Sequence, residues 1–196
     1  MNQDSKIVIN NKICLKDYGI KLHLVRHGEY VLNKVGGWTD DHLSSKGIKQ
    51  IKKILNEVDE DYDLFVSSDL VRAKESADII NNKLHMDIVL DSGFREINSG
   101  VLNNITIDEL RKNPSLWVDY TKLAMDESFK DGDSPNSFYE RVKNAFVELL
   151  ENNKNKKILL VTHSGVITVL LCLLNGYPYN NNLQIAPGVG TITKLH

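Results

Sequence analysis

Short, nearly continuous apolar runs alternate along this chain with stretches in which apolar residues recur every three or four positions. Residues 21–26 (KLHLVR), 64–66 (LFV) and 157–161 (KILLV) are runs of the first kind. A strand that is apolar on both of its sides must be covered on both faces. Helices lying between such strands supply the crossovers that parallel pairing needs. The pattern therefore predicts an α/β protein, a three-layer α/β/α sandwich with a mostly parallel central sheet.

The helical stretches carry their own boundary signals. Ile48, Ile51, Ile54, Leu55 and Val58 mark one face of a helix that starts near Ser44 or Ser45. A second helix is expected from about Asp69 to Asn82, and a third strand over residues 85–90. Residues 91–132 are polar and varied, with one short helix over 106–112 stopped by Pro114. Ser134-Pro135 starts a helix, a capping hydroxyl followed by proline at the first helical position. Its inner face is Phe138, Val142, Ala145, Phe146, Leu149 and Leu150. The strand at 157–161 feeds a helix that runs through Leu174 and is ended by Gly176. Residues 183–186 and 191–195 are two last strand candidates. Residues 1–19 stand outside the alternation as an N-terminal extension, either an added hairpin of 7–9 with 13–15 or a disordered leader. The domain proper is 20–196.

Composition narrows the function. At 196 residues, 41% hydrophobic and 26% charged, the chain has the size and balance of one globular domain and needs no staple. Its net charge of −2 argues against nucleic acid or an anionic membrane as a partner. Cys14 and Cys172 show no CxxC spacing, so neither a disulfide framework nor a zinc ribbon is indicated. The N-terminus lacks the apolar core of a signal peptide. The longest apolar run, nine residues from Val166, is too short to cross about 30 Å of hydrocarbon. A cytoplasmic protein is expected.

In open α/β sheets, ligands bind beyond the carboxyl ends of the strands. Arg26-His27-Gly28-Glu29, Ser67-Ser68 with Arg72, and Thr162-His163-Ser164-Gly165 each follow an apolar run there. Two histidines and two arginines at one rim suit a phosphoryl group, whose charge is spread over three oxygens. His23 and His27 share a strand face but lie about 13 Å apart, too far to hold one metal ion.

These residues carry a resemblance to the histidine phosphatase, or phosphoglycerate mutase-like, superfamily. Its Arg-His-Gly signature is Arg26-His27-Gly28, followed by Asn33 and by Gly37-Trp38-Thr39-Asp40 through Leu43 and Gly47. Its Ser-Ser-x-x-x-Arg-Ala segment is Ser67 to Ala73. Its acid-bearing segment is Phe94-Arg95-Glu96 with Gly100, and its last element is Thr162-His163-Ser164-Gly165. Four motifs in order, over nearly nine-tenths of the chain, make the resemblance specific.

The resemblance implies a phosphoglycerate mutase-like fold and a catalytic set of His27, Glu96, Arg26, Arg72 and His163. His27 would take the phosphoryl group, Arg26, Arg72 and His163 would hold its oxygens, and Glu96 would be the general acid and base. Asn33, Thr39, Gly28 and Ser164 would bind substrate. No metal or other cofactor is implied, since the cationic side chains take that place. The implied partner is a small phosphorylated metabolite, with a homodimer left open as the assembly. Two departures bear on the substrate: Tyr30 replaces the usual Thr, and Leu102-Asn103-Asn104 replaces the usual Trp-Glu-Gly. The 67 residues from Glu96 to His163 are few for a mutase. A phosphatase of small phosphomonoesters is therefore favoured, most like the α-ribazole and broad-specificity phosphatases. Phosphoglycerate mutase and a non-catalytic phosphate-binding module are the alternatives.

Overall fold

Residues 158 to 161 of the central strand point alternately to opposite faces of the sheet, and each face has its own core. Ile158 and Leu160 belong to one buried cluster, Leu159 and Val161 to the other. The computed structural model describes residues 12–31 and 34–196. Its sheet has five strands, β1 (Lys21–Arg26), β2 (Leu64–Ser67), β3 (Ile88–Leu90), β4 (Lys157–Thr162) and β5 (Ile192–Leu195), in the order β3-β2-β4-β1-β5. All neighbours are parallel except β5, which pairs antiparallel with β1 at one edge.

Among the described residues five α-helices flank the sheet or its loops: α1 (Ser45–Ile54), α2 (Val71–Leu84), α3 (Ile107–Lys112), α4 (Pro135–Asn152) and α5 (Ser164–Asn175). Ile51 and Ile54 of α1 and Ala73, Ala77 and Ile80 of α2 cover one face of the sheet with Phe65. On the other face, α4 and α5 supply Phe138, Val142, Phe146, Leu150, Val166, Val169 and Leu170. Full burial of such a side chain is worth about 1.5–3 kcal/mol, so these two faces hold the sandwich together. The helix starts follow local chemistry. Ser44 Oγ accepts from the Gly47 amide at 3.0 Å, and Ser134 and Ser137 cap α4 reciprocally. Such a cap contributes about 1 kcal/mol.

Several expectations are corrected. Residues 183–186 are not a strand. The Leu183 amide closes a turn onto Asn180 O, and the place beside β1 is taken by β5. The third strand begins at Ile88 rather than at His85, because His85 caps α2 with a φ of 54°. Of the proposed N-terminal hairpin, residues 7–9 lie outside the described residues. Leu15 begins a 3-10 turn, Leu15–Tyr18, and packs into the core, while the Ile13 amide bonds Leu173 O.

Candidate active site

The register pairs Arg26 with Thr162 and Ser67 with Val161, so β1, β4 and β2 end together at one rim. β1 runs into His27 and β2 into Ser68, while β4 runs into His163, which stands as the N-cap of α5. Arg72 is the second residue of α2. The His27 and His163 rings are brought to 5.0 Å between centroids.

The tautomer of His27 follows from its partner. Nδ1 lies 2.7 Å from Gly28 O, and a carbonyl can only accept, so Nδ1 carries the proton and donates it. Nε2 therefore keeps its lone pair, and Arg72 Nε points at it from 3.4 Å. Burial, then the positive charges of Arg72 and Arg26, pull the His27 pKa down to about 3. At neutral pH the ring is an uncharged base with one unprotonated nitrogen.

Arg72 is only 1% exposed. Its guanidinium donates to Gly37 O at 2.8 Å and Thr39 O at 3.2 Å, and its Cζ lies 4.9 Å from the centre of the Tyr30 ring. Arg26 donates to Pro187 O at 2.8 Å. His163 Nε2 is 2.8 Å from Ser68 Oγ. Burial and the charge of Arg72 hold the His163 pKa well below the usual value. Among the described residues His163 Nδ1 and Arg26 Nε are buried without a hydrogen-bond partner. An unpaired buried donor costs about 1–3 kcal/mol, so this positively charged rim is suited to an anion that brings its own acceptors.

Glu96 approaches from the loop after β3. Its Oε2 accepts from the Gly165 amide and its Oε1 from the Ile97 amide, both at 3.1 Å. Two residues missed by the sequence reading hold this loop. Trp38 Nε1 donates to Glu96 O at 2.6 Å, and Arg141 donates to Glu96 O, Arg95 O and Gly93 O at 2.9–3.1 Å. The Arg95 and Arg141 guanidinium carbons lie 4.6 and 5.6 Å from the centre of the Trp38 ring. The available signal was a basic residue on the inner face of α4, between Phe138, Val142 and Ala145.

A cleft of about 410 Å³ opens over these groups, lined by Arg26, His27, Arg72, Glu96 and Ser164 among others. Asn33 lies outside the described residues. Gly28 and Thr39, expected to bind substrate, have polar groups bonded within the protein. The Gly28 amide is spent on Ser76 Oγ at 3.1 Å and its carbonyl on His27, and a Cβ there would meet Gly47 O at 2.6 Å. Thr39 is fully buried and acts as an acceptor for Arg72. Among the described residues no group of His, Cys, Asp or Glu is placed to share a metal ion. Nor is any helix among them long and apolar enough to cross a membrane.

Residues 22–196 match the model of the histidine phosphatase superfamily (branch 1). The chain is 32% identical over 167 residues to "Probable phosphoglycerate mutase GpmB" of Escherichia fergusonii, covering 81% of this chain and 76% of that protein. It is 30% identical over 169 residues to the Erwinia tasmaniensis protein of the same name, covering 82% and 77%. Among solved structures, the phosphoserine phosphatase of Entamoeba histolytica in complex with 3-phosphoglyceric acid superposes with a TM-score of 0.70 at 26% identity, over 89% of each chain. The α-ribazole phosphatase of Shigella flexneri gives 0.75 at 22% identity, also over 89% of each, which speaks to the fold alone. The chain belongs to the histidine phosphatase superfamily and is an enzyme of the histidine phosphatase type.

Proposed function

We propose that this protein is a metal-independent phosphatase of small phosphomonoesters, α-ribazole 5'-phosphate among the candidates, working through a phosphohistidine on His27. The observation that carries the proposal is the uncharged His27 ring, with Nδ1–H tied to Gly28 O and Nε2 unprotonated, accepting a long 3.4 Å contact from Arg72 Nε. Nε2 attacks phosphorus as the ester P–O bond breaks, and Glu96 gives its proton to the departing alkoxide oxygen. Glu96 then takes a proton from water, which attacks the phosphohistidine. The N–P bond breaks, inorganic phosphate leaves and the neutral imidazole is restored. Arg26, Arg72 and His163 hold the three non-bridging oxygens through both steps and take up the charge that a metal carries in other phosphoryl-transfer enzymes. The setting proposed is the cytoplasm, with a small phosphorylated metabolite as partner.

A second reading, phosphoglycerate mutase, is favoured by the names of the relatives at 30–32% identity. Hydrolysis of p-nitrophenyl phosphate in excess EDTA, with the native protein and with His27→Ala, tests the proposal. Turnover that survives EDTA and is lost in the variant is expected. Inactivity on phosphate esters together with primer-dependent isomerisation of phosphoglycerate would establish the mutase instead.

A further inference from the structure

The phosphate end of the cleft is cationic, but its other end is not. Beyond Arg26 and Arg72, the described residues lining it include no Lys or Arg, and its remaining charged groups are Glu96 and Asp119. The cations nearby are already engaged. Arg95 makes a two-pronged pair with Asp69, Arg141 pairs with Asp133, Lys34 faces Asp41, and Lys122 pairs with Asp119 from an exposed position. The rest of the wall is uncharged, with apolar side chains from Val35, Leu102, Val118 and Phe129, polar ones such as Ser99, Thr121 and Gln184, and Trp117 more than half exposed at 57%.

We infer that this wall receives an uncharged, ring-bearing alcohol and discriminates against phosphorylated acids. The inference rests on the phosphatase reading and adds a rule for the leaving group. A bound phosphate uses both arginines, so a carboxylate on the leaving group would find no further Lys or Arg among the described lining residues and would stand beside Asp119, whose charge already occupies the nearby Lys122. A ring, by contrast, covers the apolar side chains of the wall and adds contact with the exposed Trp117 in the lining.

The test compares kcat/KM for 2-phenylethyl phosphate and 3-phosphoglycerate, two primary alkyl esters that differ in charge and in the ring. The native enzyme is expected to prefer the phenylethyl ester by more than about tenfold. Trp117→Ala should lower that ratio through KM for the phenylethyl ester. Gln184→Arg, which adds a cation to the lining, should lower it through the acid. Equal turnover of the two esters, preference for the acid, or a ratio that neither variant moves would overturn the inference and leave the phosphatase reading standing. If no phosphomonoester is hydrolysed, p-nitrophenyl phosphate included, both fall together.

Discussion

The Gly165 amide donates to Glu96 Oε2 at 3.1 Å, so the first turn of α5 holds the carboxylate that the loop after β3 presents to the cleft. The same helix is N-capped by His163. One element thus positions both a phosphate-side group and the group assigned to the leaving oxygen. A Cβ at Gly165 would overlap Glu96 Oε1 and meet Phe138 Cζ at 3.1 Å. Gly165→Ala is therefore expected to displace the carboxylate. We expect kcat for an alkyl phosphate to fall by about 10²-fold, since an error of about 1 Å in a catalytic group costs that much. Vanadate should still bind, because the cations that hold an anion are untouched. Steady-state kinetics alongside a vanadate inhibition constant checks both parts.

Glu96→Gln keeps the size of the side chain and an oxygen to accept from Gly165, but cannot deliver a proton. Phosphate binding should be retained and breakdown slowed. The loss should be greater for alkyl esters than for p-nitrophenyl phosphate, whose leaving group departs without help. Equal losses for the two substrates would remove Glu96 from the role of acid.

Arg72→Lys replaces a planar fork by a single point of charge. In the native protein the guanidinium spans Gly37 O, Thr39 O and His27 Nε2 at once, and an ammonium cannot reproduce that geometry. Losing one preorganised donor to transition-state charge typically costs about 10²–10³ in kcat. A loss of that size is expected, with circular dichroism unchanged. A kcat within about threefold of native would contradict the assignment.

The buried histidines also make stability depend on pH. His27 is held at about 3 and His23 at about 4, each mainly by burial, and His163 is held well below the ordinary value of 6.5. Below pH 6.5 the unfolded chain takes up protons that the folded chain refuses, so stability falls as pH falls through this range. Each such group approaches about 1.4 kcal/mol per pH unit until its folded pKa is reached. His42, raised by its contact with Glu75, works in the opposite direction, one exposed group against three buried ones. The urea midpoint in phosphate-free buffer is expected to drop between pH 6.5 and 5.5. A midpoint that rises would show that these rings are not buried in the neutral form.

The parts of the fold legible in the sequence are those set by local chemistry. β1 spans 21–26 as its apolar run indicates, and Ser44, Thr106 and Ser134 cap helices as their side chains dictate. The rim with His27, Arg72 and His163 was legible too, because each residue sits within a few positions of the end of an apolar strand. What was not legible depends on contacts between distant segments. Arg141 and Trp38 hold the Glu96 loop across 45 and 58 positions of chain, and no local pattern encodes that. Gly28 and Thr39 stand beside catalytic motifs, yet their polar groups are used inside the protein, on Ser76 and Arg72. Residues 183–186 look extended and apolar, but the edge of β1 is taken by β5 and Leu183 closes a turn onto Asn180 instead.

The most direct test of the account is to quench the reaction with a ³²P-labelled ester on the millisecond scale and locate the label. A phosphoryl group that is acid-labile, stable to base and placed on His27, with none trapped in His27→Ala, is the expected result. Full hydrolytic turnover with no labelled protein at any quench time, or label on a residue other than His27, would contradict it.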